Sequence, residues 1–240
     1  MRETADVETS SDGYAARFAG SVGSWMLAVQ ERAVRELLGA PGSTVIDVGG
    51  GHGQLAPPLA AAGWQVTVFG SDEACAARLQ PQIAAGSVRF VSGDLLALPF
   101  PDRSFDFAVS VRLLSHCDAW PKLVAELCRV ARRAVIVDYP TAESLNRVAP
   151  ALFGAKKKLE GNTRTFTLFT HREVGEAFAA CGFAPAGRVP QFFLPMVLHR
   201  ALRCRTCSAA LEAACRGLGL TRRWGSPVIA RFDRGGSGRG

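Results

Sequence analysis

The run Val45-Ile46-Asp47-Val48-Gly49-Gly50-Gly51-His52-Gly53 constrains this chain more than any other feature. A β-branched segment from Ser43 to Val48 ends in an acid and a cluster of glycines, and Gln54 to Ala62 then reads as a helix. Glycines at this spacing permit a tight strand-to-helix turn and close backbone approach to a ligand, while the start of the helix offers N–H donors. Pro57 and Pro58 fall near the first turn, where N–H groups have no intrahelical partner, so neither breaks the helix. The loop reads D-x-G-x-G-x-G, which is not the G-x-G-x-x-G spacing of a dinucleotide-binding dehydrogenase.

Strand candidates continue at Gln65–Phe69, Val88–Val91, Phe105–Val111 and Ala134–Asp138, separated by helical candidates at Asp72–Ala84 and Trp120–Ala131. That alternation implies an α/β fold with a doubly wound parallel sheet. Ahead of it, Tyr14 to Leu38 carries apolar residues at helical spacing and predicts one or two helices. Past Pro140 a polar, basic stretch runs to about Thr170. A helix at Arg172–Ala180 and a strand at Phe183–Val189 follow, then a helical insertion from about Leu194 to Leu218 and a last strand at Pro227–Phe232. The glycine-rich tail, Gly235–Gly240, reads as disordered.

With these motifs in this order, the chain from about Thr44 to Asp138 resembles the class I S-adenosylmethionine-dependent methyltransferases. The resemblance implies a mostly parallel seven-stranded sheet with helices on both faces. It also implies a cofactor site in which Asp47 positions the methionine end of S-adenosyl-L-methionine and Gly49, Gly51 and Gly53 line it. Gly93-Asp94-Leu95 is similar to the family's adenine-contacting site after the third strand, and Phe105 to Ser110 resembles the strand that reaches the methyl-transfer centre, bringing Ser110 to the cofactor. One departure stands out. Where the family has a ribose-binding acid at the end of the second strand, this chain has Gly70; Asp72 either substitutes for it or caps the next helix.

For a hydroxyl acceptor the best candidate base is His116, just past the fourth strand. His171 opens a helix and reads as structural. Tyr14, Phe18 and Trp25, with Arg112 at the mouth and Tyr139 at the strand edge, are the candidate substrate-binding residues. One domain of 240 residues is expected: a helical lid over 1–40, a cofactor core over 41–140, and a substrate-side part over 141–240.

A net charge of +7, concentrated at Lys156-Lys157-Lys158 and from Arg200 to Arg223, admits an anionic partner. No N-P-P-Y-type motif follows the fourth strand and no Pro-Cys pair marks an RNA cytosine methyltransferase, so a small-molecule acceptor methylated on oxygen or carbon leads. The alternatives are an RNA methyltransferase using the basic surface and a non-catalytic S-adenosylmethionine-binding module. No stretch predicts a membrane span, a cytoplasmic location is expected, and oligomeric state is open. The seven cysteines read as reduced thiols, without a metal: Cys204, Cys207, Leu211 and Cys215 share helical spacing that predicts one apolar helix face.

Overall fold

In the computed structural model, which describes residues 3–144 and 166–235, the β-branched run forms β1 (Thr44–Val48), buried over its last four residues. The lysine run at 156–158, most of the basic stretch before Thr170 and nearly all of the glycine-rich tail lie outside the described residues. After β1 come α4 (Ala56–Ala61), β2 (Gln65–Gly70), a 3₁₀ segment at Glu73–Leu79, α5 (Gln80–Ala84) and β3 (Val88–Ser92). Then follow β4 (Phe105–Ser110), α6 (Trp120–Val130) and β5 (Ala131–Tyr139). Three helices precede this core: α1 (Ala5–Thr9), α2 (Asp12–Ala16) and α3 (Gly20–Leu38). After it come α7 (His171–Ala180), β6 (Phe183–Pro190), α8 (Met196–Leu202), α9 (Arg205–Gly217), α10 (Leu220–Trp224) and β7 (Val228–Arg234).

The seven strands line up as β3-β2-β1-β4-β5-β7-β6. β1 to β5 pair in parallel, and β7 runs antiparallel between β5 and β6. The order reverses direction between β1 and β4, and ligands of open α/β sheets bind at such a switch point, beyond the carboxyl ends of the strands. The glycine turn after Val48 stands there.

Both faces of the sheet are covered because its strands are apolar on both sides. Val45 packs with Val34, Leu38, Leu59 and Val68 on one face, whereas Ile46 and Val48 pack with Leu123, Val124 and Leu127 of α6 on the other. Both prolines of α4 do sit in its first turn. His171 follows Thr170, whose hydroxyl and the Glu173 carboxylate form a capping box that starts α7.

The helical insertion departs from expectation. It divides into α8, α9 and α10, and the face of α9 that turns inward carries Ser208 and Glu212, while Cys207 and Leu211 are exposed. The reason is polar. The Glu212 carboxylate accepts the N–H groups of Phe193 and Leu194 at 2.9 and 2.8 Å and lies 3.0 Å from His199 Nε2, so a buried acid organises the turn into α8. Cys204 is the residue before α9 rather than part of it, and its sulfur is joined to that of Cys207. The expectation of reduced thiols therefore fails for that pair, because a cysteine at a helix cap and one three residues on bring their side chains together.

Candidate active site

Residues from opposite ends of the chain meet at the glycine turn. Gly49 and Gly53 adopt left-handed backbone at φ 79° and 74°, a conformation that disfavours a side chain. Asp47, at the end of β1, is 1% exposed and its Oδ2 has no hydrogen-bond partner. Burial pushes its carboxyl up to about 7, against a weaker opposing pull from the Arg112 guanidinium.

The N-terminal segment lies over this turn. A Cβ on Gly51 would collide with Ser10 Oγ and the Cys75 carbonyl, so only glycine fits beneath it. The rings of Tyr14 and Phe18 meet the His52 ring nearly edge-on, at 6.0 and 5.9 Å. Arg78 ties the layers together, donating to the His52 carbonyl at 3.2 Å and to Asp12 at 2.7 Å. Burial drives His52 down to about 3, so the imidazole is neutral, and neither ring nitrogen has a partner.

The end of β2 is occupied from outside. Asp6, fully buried, accepts the N–H and the hydroxyl of Ser71 at 2.6 and 2.5 Å. Asp72 instead accepts the Ala74 N–H at 2.8 Å and caps the segment after β2, the structural one of its two readings. Gly70 has no room for an acid: a Cβ there would crowd Cys75 and Phe90.

Arg112 is half-buried beneath the N-terminal segment. Its backbone is left-handed at φ 62°, a costly state for a residue with a long side chain, held by an N–H bond of 2.6 Å to Asp138. Asp138 also accepts from Gln30 Nε2 at 3.1 Å, and burial raises its carboxyl to about 6. The Arg112 guanidinium rests 5.2 Å from the Phe18 ring centre and 5.9 Å from that of Tyr14, and its Nε and Nη1 are buried without partners. Together, Asp47 Oδ2, Arg112 Nε and Nη1 make a cluster of unpaired acceptor and donors beside a glycine cradle, a set that fits the charged amino-acid end of S-adenosylmethionine.

The other expected residues are distributed. Ser110 donates its hydroxyl to the Val48 carbonyl at 3.0 Å, locking β4 to β1. Asp94 accepts from the Leu96 N–H at 2.9 Å and holds the turn after β3, with Leu95 buried beneath it. His116 ends a 3₁₀ turn, Leu114–His116, its ring 5.6 Å from that of Phe166. Tyr139 ends β5 at the carboxyl edge of the sheet, as expected, and is buried against Phe169 with its hydroxyl 2.9 Å from His171 Nδ1. Trp25 turns to Phe192 and His199, at 5.3 Å from each, and lines a groove of about 590 Å³ between α3 and α9 that contains no residue of the glycine turn. Asp6, His52 and Asp138 are the site residues that the sequence reading missed. Only His52, lying inside the loop motif, carried a local signal.

A family model described as a methyltransferase domain matches residues 46–137, which hold most of β1 to β5 with the glycine turn and Arg112, while Asp6, Tyr14, Phe18 and Asp138 lie outside the match. Over that segment the chain is similar to the methyltransferase-domain family, and its fold is that of class I S-adenosylmethionine-dependent methyltransferases. A malonyl-[acyl-carrier protein] O-methyltransferase of Pectobacterium atrosepticum is 28% identical over 57% of this chain and 52% of its own length. A demethylmenaquinone methyltransferase of Deinococcus radiodurans is 32% identical over 53% of each. The chain thus spans between about a third and a half of the length of the curated relatives it matches. A solved methyltransferase of Thermotoga maritima, described as a possible histamine N-methyltransferase, superposes with a TM-score of 0.68 at 20% identity, over 96% of this chain and 98% of that one. At that identity the likeness speaks for the methyltransferase fold. Among the described residues, no helix is long and apolar enough to cross a membrane.

Proposed function

We propose that this methyltransferase moves a methyl group from S-adenosylmethionine to an oxygen or carbon of a small-molecule acceptor. The observation that carries the reading is that the turns after β1 and β4 meet at the switch point. The Leu113 side chain lies against Gly49, and the turn holding His116 hangs from Leu113 through an N–H bond of 2.9 Å to its carbonyl. The candidate base therefore rides on the element that adjoins the cofactor cradle.

Bound there, S-adenosylmethionine supplies an electrophilic methyl on a sulfonium. The chain's own residues do the rest. The glycine turn and Asp47 position the donor, the α1–α2 segment excludes water, and His116 takes the acceptor's proton. A small acceptor is favoured by the names of the two curated relatives, which act on a malonyl carrier and on demethylmenaquinone. It is favoured too by two basic side chains of the insertion that the fold itself engages: Arg200 lies over Phe18 and Arg216 donates to the Gln191 carbonyl. The test is transfer of label from radiolabelled S-adenosylmethionine into pooled small-metabolite and RNA fractions. Label in the metabolite fraction supports the proposal; label confined to RNA overturns it.

A further inference from the structure

Of the eight large apolar side chains that stand exposed among the described residues, six lie between Val197 and Trp224, in the helical insertion. Scattered singly, such residues are ordinary; gathered on one element, they mark a surface that something else covers. The helices gather them. In α8, Val197, Leu198, Ala201 and Leu202 are all exposed and share one side at about 3.6 residues per turn, while His199, off that side, is fully buried. In α9 and its cap, Cys207, Leu211, Ala214 and Leu218 are exposed on a stripe separate from the one that buries Ser208 and Glu212.

The charge of this stretch has one sign. From Pro195 to Gly225 the sequence carries six arginines and one acid, and that acid, Glu212, is buried on the Phe193 and Leu194 N–H groups and His199. The outer surface of the insertion therefore presents cations and no carboxylate. Arg203, Arg205 and Arg222 are exposed, and the Arg223 guanidinium lies 5.0 Å from the centre of the exposed Trp224 ring.

We propose that α8, α9 and α10 form a docking face for an anionic lipid bilayer, with the aliphatic side chains entering at the surface and the arginines meeting the lipid phosphates. Aliphatic side chains interleaved with arginine, and an indole beside them, suit the boundary between headgroups and acyl chains, where the apolar and the electrostatic terms each bind weakly and together hold. Single-stranded nucleic acid would be gripped by stacked aromatic rings, and aliphatic side chains give it nothing to stack on. A protein surface of mixed charge would set its own cations against a face without a carboxylate. Among the described residues no helix is able to span a membrane, so the attachment is to the surface. The face lies on the insertion rather than at the glycine turn, and docking needs no bound cofactor.

The experiment is co-sedimentation of the full chain with vesicles of phosphatidylcholine alone or mixed with phosphatidylglycerol. Binding is expected to the mixed vesicles and not to phosphatidylcholine. Arg222→Gln with Arg223→Gln should weaken it about 25-fold, at about fivefold for each arginine near such a surface. Leu198→Gln with Leu202→Gln should weaken it about tenfold or more, and Leu211→Gln with Leu218→Gln repeats the test on a second helix. All these positions are exposed, so the melting temperature should stay at the wild-type value. Absence of sedimentation with either vesicle, equal sedimentation with both, or leucine variants that bind as the wild type does would each overturn the proposal. So would a wild-type dimer that the leucine variants turn into a monomer, which would assign the face to a second copy, or binding to polyuridylate without binding to vesicles, which would assign it to RNA.

Discussion

Asp6 and Ser71, sixty-five positions apart, are joined by two hydrogen bonds of 2.6 and 2.5 Å, so that the first helix is fastened to the end of β2. A carboxylate from the N-terminal helix thereby stands beside the end of β2, where the strand itself carries Gly70. The same contact holds α1 over the glycine turn.

Removing that fastening should loosen the cover. In Asp6→Ala the Ser71 N–H loses its buried acceptor, which costs about 1–3 kcal/mol. A chain of this size loses about 2–4 °C of Tm for each kcal/mol. Scanning calorimetry should show the drop, and trypsin should cut faster after Arg17. An unchanged melt together with unchanged cleavage would show that the contact does not hold the segment down.

Asp47 sets a pH dependence of definite sign. Its folded value of about 7 exceeds the ordinary carboxylate value, so the folded state holds the proton more tightly. The stability it contributes is complete below about pH 4 and is lost as pH rises towards about 7. Asp47→Asn should therefore melt above the wild type near neutral pH and lose that advantage in acid. Ammonium recognition needs the ionised acid, so wild-type affinity for S-adenosylhomocysteine should tighten as pH rises to about 7 and then level, whereas the variant should be weak and flat. Titrations across this range decide it, and a wild-type affinity independent of pH would contradict the role given to Asp47.

Asp72 separates a cap from a ligand. With its Oδ1 on the Ala74 N–H, Asp72→Ala should cost about 0.5–2 kcal/mol of stability and leave S-adenosylhomocysteine affinity intact. A tenfold weaker complex with an unchanged melt would reassign it to the ribose.

For His116 the readout is the chemical step. Once an oxygen acceptor is identified, His116→Ala should slow single turnover by about 10²-fold or more while cofactor affinity stays close to wild type. An unaltered rate would leave orientation as the main source of catalysis.

What the sequence determined by itself was local. The turn after Val48 needs glycines at left-handed positions, β1 to β5 announce themselves by apolar runs, and α6 by its spaced Leu123, Val124 and Leu127, because backbone sterics and burial periodicity act within a few residues. Tertiary structure decided what depends on distance. It inserted β7 between β5 and β6, drew Arg112 beneath Tyr14 and Phe18, turned Trp25 towards His199, and brought Asp6 to Ser71. No spacing encodes these pairings. A buried charge takes whichever donor or acceptor the packed layers bring within reach, and that partner exists only once the sheet and its cover have closed around it.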